Sequence, residues 1–240
     1  MRTVRAEPPV ETGTTDGLAW ARFAPAGAGD APPAAGVVVL HGADSTKENH
    51  ADFARVCAAH GLAALVFDAR GHGASGGTLD GRAIDDVARM ADTLRERAGV
   101  QAVGLRGSSM GAYLALVAAG AARAGAVVAI CPAPALGLAV GLRAGRFAFG
   151  VDREGLTALL EAHNETDAAR ALDVPLLLLH AEGDEAVPVE LSRALHAAVP
   201  ASRLVVVPGG HHRSIQHDPE LQGEAARFLA GHLSARPGAG

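Results

Sequence analysis

The sequence predicts an α/β fold with a mostly parallel, doubly wound sheet flanked by helices, and three observations carry that expectation. Short apolar runs recur at Val37–Leu40, Leu62–Phe67, Ala102–Leu105, Ala126–Cys131, Pro175–His180 and Leu204–Val207. They are near-continuous in apolar residues, as strands buried on both faces are. Between them lie stretches whose apolar residues repeat at helical spacing, so that strand and helix alternate. With 240 residues, 49% of them hydrophobic, the chain can bury one substantial core, and residues 1–240 read as a single domain without internal repeats.

Residues 1–17 carry scattered polar and proline positions. Leu18–Phe23 reads as an edge strand, followed by a Pro/Gly/Ala linker from Pro25 to Gly36 that is expected to be the most mobile segment. Val37–Leu40 is a central strand stopped by His41-Gly42. A helix starting near Ser45 or Thr46 then places Phe53, Val56, Cys57 and His60 on one stripe and ends at Gly61. Leu62–Phe67 leads into Asp68–Ser75, and Ile84, Val87, Ala88, Ala91, Leu94 and Ala98 mark an amphipathic helix. The helix Ala112–Ala119 is apolar on nearly every face and belongs at the centre. After Ala126–Cys131 the rhythm breaks: residues 133–173 carry Leu136, Leu138, Leu142, Phe147 and Phe149, then a helical pattern through Leu156, Leu159 and Leu160, and read as a small lid. Pro175–His180, a helix over Leu191–Val199, Leu204–Val207 and a last helix with Leu221, Ala225, Phe228 and Leu229 resume the alternation.

A net charge of -5, with a single Lys, offers no basic face, so no nucleic-acid partner is expected. The 19 uncharged residues Ala124–Leu142 suit a buried strand and loop better than a membrane span, because Pro132 and Pro134 interrupt them. Residues 1–8 lack the apolar core of a secretory signal, and Cys57 and Cys131 require no disulfide, which together read as cytoplasmic.

Gly107-Ser108-Ser109-Met110-Gly111 joins an apolar strand to an apolar helix and has the form of a nucleophile elbow. The central serine sits on strained backbone, and the flanking positions must lack side chains. Gly73-Ala74-Ser75-Gly76-Gly77 matches the same pattern, but no helix follows it directly, so context selects Ser109. A serine hydroxyl needs an imidazole to take its proton and a carboxylate to orient that imidazole. Among strand ends after Ser109, Asp184 supplies the acid, with Glu182 and Glu185 as solvated loop charges. His212, preferred to the adjacent His211, supplies the base. The order Ser, Asp, His, together with His41-Gly42 after the first central strand and the Asp68-x-Arg70-Gly71-His72-Gly73-x-Ser75 loop, resembles the α/β-hydrolase superfamily and its esterase, peptidase and dienelactone-hydrolase-like branches.

The resemblance covers Val37 to the last helix. It implies backbone N–H donors at Ala43 and Met110 for an oxyanion and a hydrolytic mechanism, and it does not fix a substrate; a small-molecule carboxylic ester or thioester is expected, with amide cleavage or acyl transfer as alternatives. Leu138, Leu142, Phe147 and Phe149 are expected to wall the substrate site. No cofactor and no metal are expected. Three readings compete less well: a metal cluster of His211, His212, His217 and Asp218, a dinucleotide fingerprint at Gly71–Gly76 in a non-catalytic binding protein, and a catalytic part for Cys131, which reads as a buried thiol.

Overall fold

The computed structural model describes residues 7–25 and 33–234; residues 26–32 of the expected linker lie outside them. Two strands, β1 (Glu11–Thr15) and β2 (Leu18–Phe23), form a hairpin in which β2 runs antiparallel both to β1 and to the next strand of the sheet. The remaining strands are β3 (Gly36–Leu40), β4 (Ala63–Phe67), β5 (Val103–Ser108), β6 (Val127–Ile130), β7 (Leu176–Ala181) and β8 (Arg203–Val207). The sheet order is β1-β2-β4-β3-β5-β6-β7-β8, and every pair from β4 to β8 is parallel.

The hairpin corrects two expectations. Leu18–Phe23 is interior to the sheet, and the edge is β1, inside the stretch that reads as irregular. The Glu-Thr-Gly-Thr-Thr segment has no apolar alternation because an edge strand exposes alternate residues to water. Gly13 faces Trp20 across the hairpin, where any Cβ would stand 2.5 Å from the indole ring.

Helices cover both faces. On one lie α1 (Ala51–Ala59) and α8 (Pro219–Ser234), with Phe53, Cys57, Ala225 and Leu229 packed on Val37, Val39 and Val128. The other carries α2 (Ala83–Ala98), α3 (Met110–Val117) and α7 (Val189–Ala198). The expected stripe on α1 is only half right. Phe53 and Cys57 are buried, but the segment starts with a 3₁₀ turn at Lys47–His50, and His60, the residue that caps the C-terminal end of α1, is exposed. Residues 133–173 form three helices, α4 (Ala135–Arg143), α5 (Arg153–Ala162) and α6 (Glu165–Arg170), between β6 and β7. Asp152 and Asn164 cap α5 and α6 by accepting N–H bonds of the first turn. Among the described residues no helix is long and apolar enough to cross a membrane.

Candidate active site

β5 ends at Ser108, α3 begins at Met110, and Ser109 between them holds φ 54° and ψ -119°, a backbone state that costs a non-glycine residue energy. The two flanking glycines make that turn possible. A Cβ on Gly107 would lie 2.0 Å from the Gly111 carbonyl oxygen, and one on Gly111 would lie 2.5 Å from the carbonyl oxygens of Leu40 and His41. Ser109 is thereby presented above the C-terminal edge of the sheet. Its own N–H is tied to Ile130 O at 2.9 Å.

Across from it, the turn after β3 is held by His41. The Ala69 N–H donates to His41 Nε2 at 3.0 Å, so the imidazole proton sits on Nδ1 and is given to Gly42 O at 2.7 Å. The Gly42 carbonyl and the Ala43 N–H belong to one planar peptide and point in opposite directions. Pinning the carbonyl to His41 thus turns the Ala43 N–H away from that ring, and Ala43 lines one cavity with Ser109 and His212. Burial pushes the His41 pKa down to about 4, which keeps this ring neutral at physiological pH. Asp44, at φ 54°, extends the turn and accepts the Ala148 N–H at 2.7 Å, tying it to the segment between α4 and α5.

The acid and histidine loops are laced to each other. Glu182 N–H donates to Val207 O at 2.8 Å and Gly183 N–H to Gly209 O at 2.9 Å, and a Cβ on Gly183 would stand 2.5 Å from Gly210 O. This brings Asp184 Oδ2 to 2.7 Å from His212 Nδ1, while Asp184 Oδ1 accepts the N–H groups of Ala186 and Val187 at 2.9 Å each. Burial works to raise the Asp184 pKa, but the bonds from Val187 and His212 more than offset it and the net shift is downward. Glu182 and Glu185 are exposed, and Glu182 faces Arg193. His211 is exposed at the turn closed by Ser214.

Ser109, Ala43 and His212 share one cavity of about 220 Å³, whose other walls include Asp44, Asn49, Arg213 and Gln216. The expected apolar wall is placed elsewhere. Leu138 and Phe147 line a separate small cavity with Met110 and Tyr113, of about 10 Å³. Leu142 is core, and Phe149 is buried with its ring stacked on His72 at 3.9 Å. Ser75, the competing serine, is structural: its hydroxyl donates to Asp68 O at 2.6 Å and accepts the Ala19 N–H at 2.8 Å. The glycine run 71–76 is followed by a further loop before α2 starts at Ala83.

The four residues considered as a metal cluster do not converge, since His217 Nδ1 bonds Asp52 while His212 bonds Asp184. Donor atoms of Cys131, Asp184 and His212 do lie within 4.8 Å of one another. Asp184 and His212 are already committed to each other, and the Cys131 thiol, pushed up to about 12 by burial, stays protonated. Cys131 holds φ 43°, and its N–H is bound to Leu179 O. His180 was equally hidden in an apolar run: wholly buried, it spans Ser192 Oγ and Val187 O at 2.7 and 2.8 Å and so braces the acid loop. The signal for it was a lone polar residue at a buried strand end.

Comparison with known proteins agrees with this architecture. The family model described as serine aminopeptidase, S33, matches residues 31–150, half of the chain. The chain belongs to the α/β-hydrolase superfamily. A second model of this superfamily, described as TAP-like protein, matches residues 158–236. No curated protein shows a significant match. Among solved structures, the chain is similar to Est1E from Butyrivibrio proteoclasticus with ferulic acid bound, at 22% identity and TM-score 0.74 over 93% of this chain and 99% of that one. The Paleococcus ferrophilus monoacylglycerol lipase aligns at 21% identity and TM-score 0.67 over 91% and 98%. XC6422 from Xanthomonas campestris, a serine hydrolase described as lacking a lid, aligns at 21% and 0.66 over 96% and 98%. The α/β-hydrolase sheet of these structures is the sheet described above.

Proposed function

We propose that the protein is a serine hydrolase that cleaves a carboxylic ester or thioester through an acyl-enzyme. The observation that carries this is the 2.7 Å Asp184–His212 bond, with His212 opening onto the same cavity as a Ser109 held at φ 54°. His212 Nε2 takes the Ser109 proton as the hydroxyl attacks the acyl carbon, then returns it to the leaving group. Water, deprotonated by the same nitrogen, releases the acid and restores the serine. Asp184 fixes the Nδ1–H tautomer and stabilises the imidazolium. The Ala43 N–H and the Met110 N–H, the latter an unsatisfied donor of the first turn of α3, receive the oxyanion.

The cavity is small and its walls largely polar, which favours short acyl groups. Residues 133–173 act in this reading as a cap, with Leu138 and Phe147 its apolar face toward Met110. The serine aminopeptidase match favours amide cleavage as the second reading. The test is a series of p-nitrophenyl esters of rising chain length run beside an aminoacyl p-nitroanilide, with fluorophosphonate labelling of the wild type and Ser109→Ala. Ester turnover highest for short chains and labelling lost only in the variant are expected. Labelling that survives Ser109→Ala would refute the assignment.

A further inference from the structure

Arg106 is the largest fully buried side chain among the described residues, on the central strand β5 three residues before Ser109. It projects into the face occupied by α1, between Val39 and Val128 of the neighbouring strands, with its guanidinium 4.6 Å from the centre of the Phe53 ring. An apolar side chain would suit these neighbours. Removing a guanidinium from water is expensive, and replacing buried ions by apolar groups is often neutral or stabilising, so packing alone does not account for the residue. Burial lowers its pKa only to about 10, which leaves it charged.

Its partners are unusual for a buried cation. Nη1 donates to His50 Nδ1 at 3.0 Å and Nη2 to Gln216 O at 3.0 Å, while Arg106 Nε and His50 Nε2 have no partner among the described residues. Among the described residues no carboxylate accepts from it. Asp52, the acid whose field it feels, is engaged by Phe53 N–H, His217 Nδ1 and Gln222 Nε2. Gln216 O is the informative contact, because it lies in the 3₁₀ turn Ile215–His217 immediately after the loop that carries His212. That loop leaves β8 through Gly209 and Gly210, both at positive φ, so the end of β8 does not dictate where His212 stands. Besides the Gly183 bond to Gly209 O at its start and the His217 bond to Asp52 at its end, its attachments to the body are the Asp184–His212 bond, buried Ile215, and the Gln216 carbonyl, which accepts from Arg106 and from Gln222 Nε2 at 2.9 Å.

We infer that Arg106 is a positioning residue that couples the strand of the nucleophile to the loop of the base, setting the height of His212 over Ser109 through the Gln216 carbonyl. Both ends of the reacting pair are thereby referred to one side chain. The role rests on the Ser109–His212 reading, and Arg106 itself touches no reacting atom.

The test compares wild type with Arg106→Met, Arg106→Lys and Gln222→Met, measuring kcat and KM per active site, the sites being counted by mass after exhaustive fluorophosphonate labelling. Arg106→Met is expected to lower kcat per site at least about 10-fold with KM changed less than about threefold, since the base is displaced while the opposite wall of the cavity, Gly42–Ser45 with Ser108 and Ser109, is not. Lys keeps the charge and one of the two bonds, and Gln222→Met leaves one donor on Gln216, so both variants are expected to fall in between. Arg106→Met that loses thermal stability but keeps wild-type kcat per site would overturn the inference. Should Arg106→Met fail to fold, wild-type kcat in both other variants would overturn it. A second readout is independent of turnover: the far-downfield NMR signal of the ring proton shared by His212 and Asp184 should shift or broaden in the Arg106 variants. If the wild type neither labels nor hydrolyses, the catalytic reading fails, and an unmoved ring proton in those variants would separately refute the coupling.

Discussion

Acidification should weaken this protein through two buried imidazoles long before its carboxylates are neutralised. His41 and His50 are 3% and 1% exposed, and their pKa values are lowered from 6.5 to about 4 and about 2. Burial is the main cause in both, and for His50 the Arg106 charge beside it adds to the effect. Both folded-state values lie below the unfolded one, so as pH falls the unfolded chain binds the proton first and the native state loses stability. The loss begins near pH 6.5 and continues down to each folded value. Between pH 7.5 and 5 each ring should cost about 2 kcal/mol, or about 4 kcal/mol together, against a typical total of about 5–15 kcal/mol. Urea titrations at pH 7.5, 6 and 5 would measure it. His50→Gln keeps an acceptor oxygen for Arg106 Nη1 but cannot titrate, so it should show about half of the wild-type pH dependence from this pair. Identical pH dependence in wild type and His50→Gln would refute the reasoning, as would a wild-type loss below about 1 kcal/mol over the interval.

Ser75→Ala should leave kcat unchanged and lower stability by about 1–3 kcal/mol, read by urea denaturation, because Ala19 N–H and Asp68 O lose their shared partner. Asp184→Asn should reduce kcat by about 10⁴-fold and Glu182→Gln by less than about twofold, and comparable losses in steady-state assays of the two would shift the acid to Glu182. His212→Ala should abolish fluorophosphonate labelling while His211→Ala labels at the wild-type rate; the opposite pattern would make His211 the base. Phe147→Ala should join the small cavity beside Met110 to solvent and raise activity on longer p-nitrophenyl esters relative to the short ones. An unchanged chain-length profile would remove Phe147 from the substrate wall.

The parallel core of the sheet and the loops that gather at its C-terminal edge are legible in the chain before it folds. Both are local: a run buried on two faces must be apolar throughout, and Gly107 is demanded by the Gly111 carbonyl within five residues of chain. The sequence also marked Asp184 and His212 as candidates, since each follows the end of an apolar run. Features that depend on approach between distant segments are set by packing instead. The polar strand β1 exists because β2 offers it a ladder and Trp20 lies over Gly13, and nothing in its own composition announces a strand. Leu142 and Phe149 look like a pocket wall in sequence but are consumed by packing, Phe149 against a histidine 77 positions away in the chain. Arg106 is the clearest case, a charge in a buried strand whose partners lie 56 and 110 residues off and become visible only when β5, the turn before α1 and the loop after β8 meet. Periodicity records which face of an element is dry, but which polar group waits on that face is set by the neighbouring elements.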